Sequence, residues 1–149
     1  MEPKRKTVTV MGILVLVEYS LGALVTFSDP SNAGFGLSSF PTAYPAYLPL
    51  LHRMFAAVLI VAWLVLSMSL RGTRAFAFSH MTLGLILIQA VIGIFIPLTQ
   101  GSAVNNYIII VHFAVSGLII AAAGFTIILG WLALPSAGRR REHRRPEGQ

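Results

Sequence analysis

Residues 76–98 read FAFSHMTLGLILIQAVIGIFIPL, a run of 23 residues without one Asp, Glu, Lys or Arg. A helix of that length rises roughly 34 Å at 1.5 Å per residue, enough to cross a hydrocarbon core of about 30 Å. The surrounding chain has the same character. Three further apolar runs, 8–27, 48–70 and 107–134, reach spanning length. Of the 149 residues, 56% are hydrophobic and 11% charged, and the mean hydropathy is +0.78. A water-soluble domain of this size would need far more polar surface. The expected fold class is an all-α membrane protein, a bundle of four transmembrane helices. The first run is read as a helix rather than a signal peptide, because it is long, carries Glu18 and lacks a small-x-small cleavage site.

Charge orients the four spans. Lys4, Arg5 and Lys6 precede the first run, Arg71 and Arg74 lie between the second and third, and Arg139, Arg140, Arg141, Arg144 and Arg145 follow the fourth. The other two connections contain no Lys or Arg. The positive-inside rule then places both termini in the cytoplasm, in the cell membrane. The formal charge of +6 follows from this asymmetry and from contact with anionic lipid, with no nucleic acid required. Residues 1–138 form the expected membrane domain. Residues 139–149 form a basic tail expected to be disordered, with His143 a solvated residue in it.

Polar residues recur inside the spans in a pattern. The first run contains EYSLGALV from Glu18 and the third QAVIGIFI from Gln89, each with a glycine four residues on (Gly22, Gly93). The second contains LHRMFAA around His52 and the fourth VHFAVSG around His112. Small residues follow each His, at Ala56 and Ala57 and at Ser116 and Gly117. The chain therefore reads as a tandem repeat of two helical hairpins, related by an axis along the membrane normal.

The repeat places His52 and His112 at one depth, roughly 8 Å inside the outer surface. Ionisable residues within a membrane default to a functional reading. Two imidazoles facing each other across a bundle can supply both axial ligands of a heme iron. The small residues one turn away would let a flat macrocycle approach. The plainer alternative is an interhelical hydrogen bond, with small residues that only bring helices together. His80 lies near the cytoplasmic start of its helix and is expected to snorkel at the interface. No third strong ligand accompanies the His pair, which argues against a zinc or iron site built from protein ligands alone. The chain has no cysteine, hence no thiolate ligand and no covalent heme attachment.

At this point the sequence resembles the heme A synthases, multi-pass proteins that convert heme O to heme A. The shared elements are His52-Arg53 opening a helix after an outer loop, the Gln89-x-x-x-Gly93 helix, and the helix-opening His112. The loop run GFGLSSFPTAYP (34–45) is similar to the family's Gly-Leu-Ser-Cys-Pro segment. Family members usually fuse two four-helix halves, and this chain corresponds to one. The resemblance implies heme B or substrate heme O as cofactor and oxidation of a methyl group to a formyl group. It also implies a homo-oligomer, a heme O synthase or a terminal oxidase as candidate partners. The family commonly has an acid three residues before the His-Arg pair, where Pro49 stands here.

Two acids are candidates for that missing function. Asp29 sits at the outer end of the first helix, in a segment where Asp-Pro also favours a plain turn. Glu18 is level with Gln89 near the bilayer centre. There it is expected either to relay protons or to form a structural hydrogen bond with Gln89, Ser20 or Ser116. Arg53 is placed to pair a heme propionate through its planar fork of donors. The outer loop of about 20 residues reads as a functional lid, with Phe35 and Phe40 covering a heme or joining Tyr44 and Tyr47 in an interfacial belt. The alternative function is a bis-His membrane cytochrome b that carries electrons; a third is an assembly subunit without heme.

Overall fold

The computed structural model describes residues 3–28, 47–99 and 101–133. They form four helices: α1 (Pro3–Ser28), α2 (Leu48–Ser69), α3 (Ala75–Leu98) and α4 (Ala103–Ala133). All four are long and apolar enough to cross a membrane. Asp29, the aromatics of the loop up to Tyr44, His143 and the basic tail lie outside the described residues.

The helix ends follow local chemistry. Pro3 opens α1, where its fixed φ suits a first turn and its missing N–H has no partner to lose. Between α2 and α3 the chain reverses over a few residues. Gly72 there takes a positive φ of 78°, a conformation that side chains with a Cβ adopt at a cost. Helix α4 begins at Ala103 rather than near residue 107, because Thr99 holds the preceding turn with a hydrogen bond to Asn105 Oδ1 of 3.0 Å. Its 31 residues span roughly 46 Å, more than the hydrocarbon core.

Each helix packs against its two chain neighbours, and α4 closes the ring against α1. Helices α2 and α4 are thus diagonal, as are α1 and α3. One end of the bundle carries the start of α1, the end of α4 and the α2–α3 turn. The other carries the α1–α2 and α3–α4 connections.

Packing is uneven along the bundle axis. Toward the terminal end lies a dense plug: Val8, Met11 and Val15 of α1, Leu59, Trp63 and Leu66 of α2, Ile86 of α3, and Ile119 and Ala123 of α4. Small residues bring α1 and α4 close, with Gly12 against Ile127 and Gly130 against Val8. Several polar groups in the plug are satisfied locally, since bare donors in hydrocarbon are costly, while the Ser79 hydroxyl is buried without a hydrogen-bond partner among the described residues. The Trp63 indole donates to the Ser79 carbonyl at 2.9 Å. Thr82 and Thr126, both fully buried, donate to the carbonyls of Phe78 and Ala122. At the terminal end, Trp131 Nε1 donates to Thr9 Oγ1 at 3.0 Å and the Arg5 guanidinium lies over the Trp131 ring. Toward the connection end the helices enclose a cavity.

Candidate functional site

The cavity has a volume of about 380 Å³. Most of its wall is aliphatic, and its polar groups include Glu18, His52, Arg53, Gln89, His112 and Ser116. Each helix contributes. The two imidazoles come from the diagonal pair α2 and α4, and Glu18 and Gln89 from the other diagonal, α1 and α3. His52 and His112, expected to share one site, do line one cavity.

Each imidazole lies against a glycine of the neighbouring helix. A Cβ built at Gly22 would stand 3.0 Å from His52 Cε1, and one built at Gly93 would stand 3.3 Å from His112 Cε1. The glycines four residues beyond Glu18 and Gln89 therefore make room for the rings. Gly22→Ala is expected to displace the His52 ring and destabilise the bundle by about 1–3 kcal/mol, the range of core overpacking. Gly93→Ala should cost less, because its contact is looser. Unfolding in detergent and the chemical shifts of the two imidazoles would check the order.

Beyond the glycines the two halves differ. His52 Nδ1 stands 2.9 Å from Glu18 Oε1, although the pair is not aligned as a hydrogen bond and both His52 Nδ1 and Glu18 Oε2 are buried without a hydrogen-bond partner. In the other half the Gln89 amide donates to Ser116 Oγ, and Ser116 Oγ donates to the His112 carbonyl at 3.0 Å. Among the described residues, His112 Nδ1 and Gln89 Oε1 are buried without a hydrogen-bond partner.

The partner of Glu18 corrects the sequence reading, which offered Gln89, Ser20 or Ser116. Ser20 turns back to the Leu16 carbonyl at 2.9 Å, and Gln89 and Ser116 take each other. Helix ends at one level would place Glu18 well below His52. Ten residues separate Glu18 from the end of α1, and four separate His52 from the start of α2. Their contact requires α1 to run roughly 9 Å further toward the connection end.

His80 stands apart. Its Nδ1 meets Ser67 Oγ at 2.6 Å, and its ring lies 4.1 Å from that of Phe76, beside the plug and away from the cavity. Its expected interfacial position is thus joined by a specific interhelical bond. Pro49 and Arg53 both line the cavity. Among the described residues no group of three or more His, Cys, Asp or Glu could hold a metal ion. Two imidazoles on the wall of one largely aliphatic cavity could each offer a nitrogen to a guest held between the helices.

Neither a family model, nor a characterised protein, nor a solved structure matches the chain.

Proposed function

We propose that this chain is a heme-binding membrane oxidoreductase of the heme A synthase type, with His52 and His112 as axial ligands. One observation carries the reading. Two imidazoles on diagonal helices line a single, mostly aliphatic cavity, each set against a glycine of the neighbouring helix. The residues fit a heme: the ligand type is right, most of the wall is aliphatic, and the glycines make room for both rings.

A bound heme would supply the redox chemistry, and the protein would supply ligation, orientation and exclusion of water. His52 and His112 would hold the iron, while Ile86, Ile109, Ile119 and Phe113 keep the surroundings dry. Arg53, next to a ligand and on the cavity wall, would pair a propionate. Asp29 is the proposed proton-handling acid. The substrate would be heme O, whose methyl-to-formyl oxidation needs an external electron acceptor and an oxygen donor. Heme O synthase, a terminal oxidase and further copies of the chain are the proposed partners. The matched glycine–imidazole contacts support a tandem hairpin repeat, and the Lys/Arg distribution supports cytoplasmic termini in the cell membrane.

A second reading, an electron-carrying bis-His cytochrome b, is favoured by two observations. Pro49 stands where an acid is expected, and Glu18 on the cavity wall lies against a proposed ligand. Co-expression with a heme O synthase, followed by chromatography of extracted pigment, separates the two. Heme A in the extract supports the synthase. Bound heme that stays heme O or heme B, with an electron acceptor supplied, supports the carrier.

A further inference from the structure

We infer that Glu18 is a positioning residue for His52, making the two imidazoles of the cavity unequal donors. Glu18 Oε1 lies 2.9 Å from His52 Nδ1, while among the described residues no carboxylate meets His112. A carboxyl oxygen this close to Nδ1, though not aligned with it as a hydrogen bond, restrains the ring and favours the tautomer that carries its proton on Nδ1, leaving Nε2 as the donor nitrogen. His52 is thus set as the stronger donor and His112 as the weaker one. The consequence for a bound iron rests on the heme reading, whereas the setting of the ring does not.

The cause is a pair of exchanged side chains. In the α3–α4 half, Gln89 finds a hydroxyl at Ser116, four residues after His112. In the α1–α2 half the residue four after His52 is Ala56, which also lines the cavity. Ala56 offers no hydroxyl, so the carboxylate at the position matching Gln89 turns to the imidazole instead. Glu18 Oε2 is buried without a hydrogen-bond partner among the described residues. Glu18 and His52 act as a unit because Ala56 is not a serine.

The test uses full-length protein in lipid nanodiscs, labelled with nitrogen-15 in histidine, first without heme and then titrated with heme B. Nitrogen shifts in the heme-free protein, read at a pH where the rings are neutral, should show His52 protonated at Nδ1. That signature should disappear in Glu18→Ala, and should weaken in Ala56→Ser, which gives the carboxylate a competing hydroxyl. In the titration, Glu18→Ala should bind heme B about 10- to 100-fold more weakly, the usual effect of removing a ligand's outer partner. Glu18→Gln should still bind, with a raised midpoint potential, because a neutral amide makes His52 a less basic donor. It carries the test if Glu18→Ala fails to insert. Unchanged His52 shifts in both Glu18 variants, with unchanged heme affinity and potential, would overturn the inference. A Glu18-dependent Nδ1 proton in a protein that takes up no heme would uphold the positioning role and remove the heme reading.

Discussion

Replacing either His52 or His112 with alanine is expected to abolish six-coordinate, low-spin heme binding, and His80→Ala is expected to leave it intact. His52 and His112 stand on diagonal helices around one cavity, and the remaining polar groups of its wall are weaker iron ligands than imidazole. Loss of one ring leaves an iron bound from one side, in a pocket whose glycine walls were spaced for two rings. His80 makes a different set of contacts, with Ser67 and Phe76 beside the plug. Its removal breaks one interhelical bond, about 1 kcal/mol by comparison with other side-chain bonds in membranes. Absorption and low-temperature EPR spectra of the purified variants, reconstituted with heme B, read this directly. If His80→Ala alone removes the low-spin signal, the axial pair is wrongly assigned. If all three variants keep it, the cavity is not the heme site.

The helices were legible in the sequence because the membrane sets their length. Runs such as 76–98 leave few alternatives, and the observed α3 differs from that run by one residue at its start. Helix α4 starts earlier than its apolar run because Asn105 and Asn106 can be helical once Thr99 anchors the turn. The pairing of Glu18 was less legible. Both its position and the alanine–serine difference between residues 56 and 116 are plain in the sequence. Ser116 is a visible hydrogen-bonding candidate, but only the bond from Gln89 shows which side chain claims it and leaves Glu18 beside Ala56 without a hydroxyl. The stagger between α1 and α2 has no sequence signature, because apolar helix ends look alike at any register. Uneven packing was hidden for a related reason. In lipid the outside of a helix is as apolar as its inside, so periodicity marks no buried face. Exposed Val58, Val61 and Val65 and buried Leu59 and Leu66 differ little in composition.

That hidden plug makes the second large prediction, Trp63→Ala. Trp63 is the largest fully buried side chain among the described residues, at 0% exposure. It sits where α2 meets α3, and its indole N–H is spent on the Ser79 carbonyl. Truncation removes the ring's packing and leaves a void, a change worth about 3–5 kcal/mol in protein cores. Helices in a membrane associate through packing and polar contacts rather than through the hydrophobic effect, so a void in the plug acts on the forces that hold this bundle. Trp63→Phe keeps most of the volume and loses the hydrogen bond, so it should cost about 1 kcal/mol. Leu64→Ala is the control: Leu64 is the next residue on the same helix but 45% exposed toward lipid, and it should change stability little. Denaturant-induced unfolding in mixed micelles, followed by Trp131 fluorescence or circular dichroism, should rank Trp63→Ala far below Trp63→Phe, with Leu64→Ala near the unmutated protein. Equal loss in Trp63→Ala and Leu64→Ala would mean that the stability of the bundle does not reside in the plug. The cavity would then be held open by the helix connections and not by the packed half beneath it.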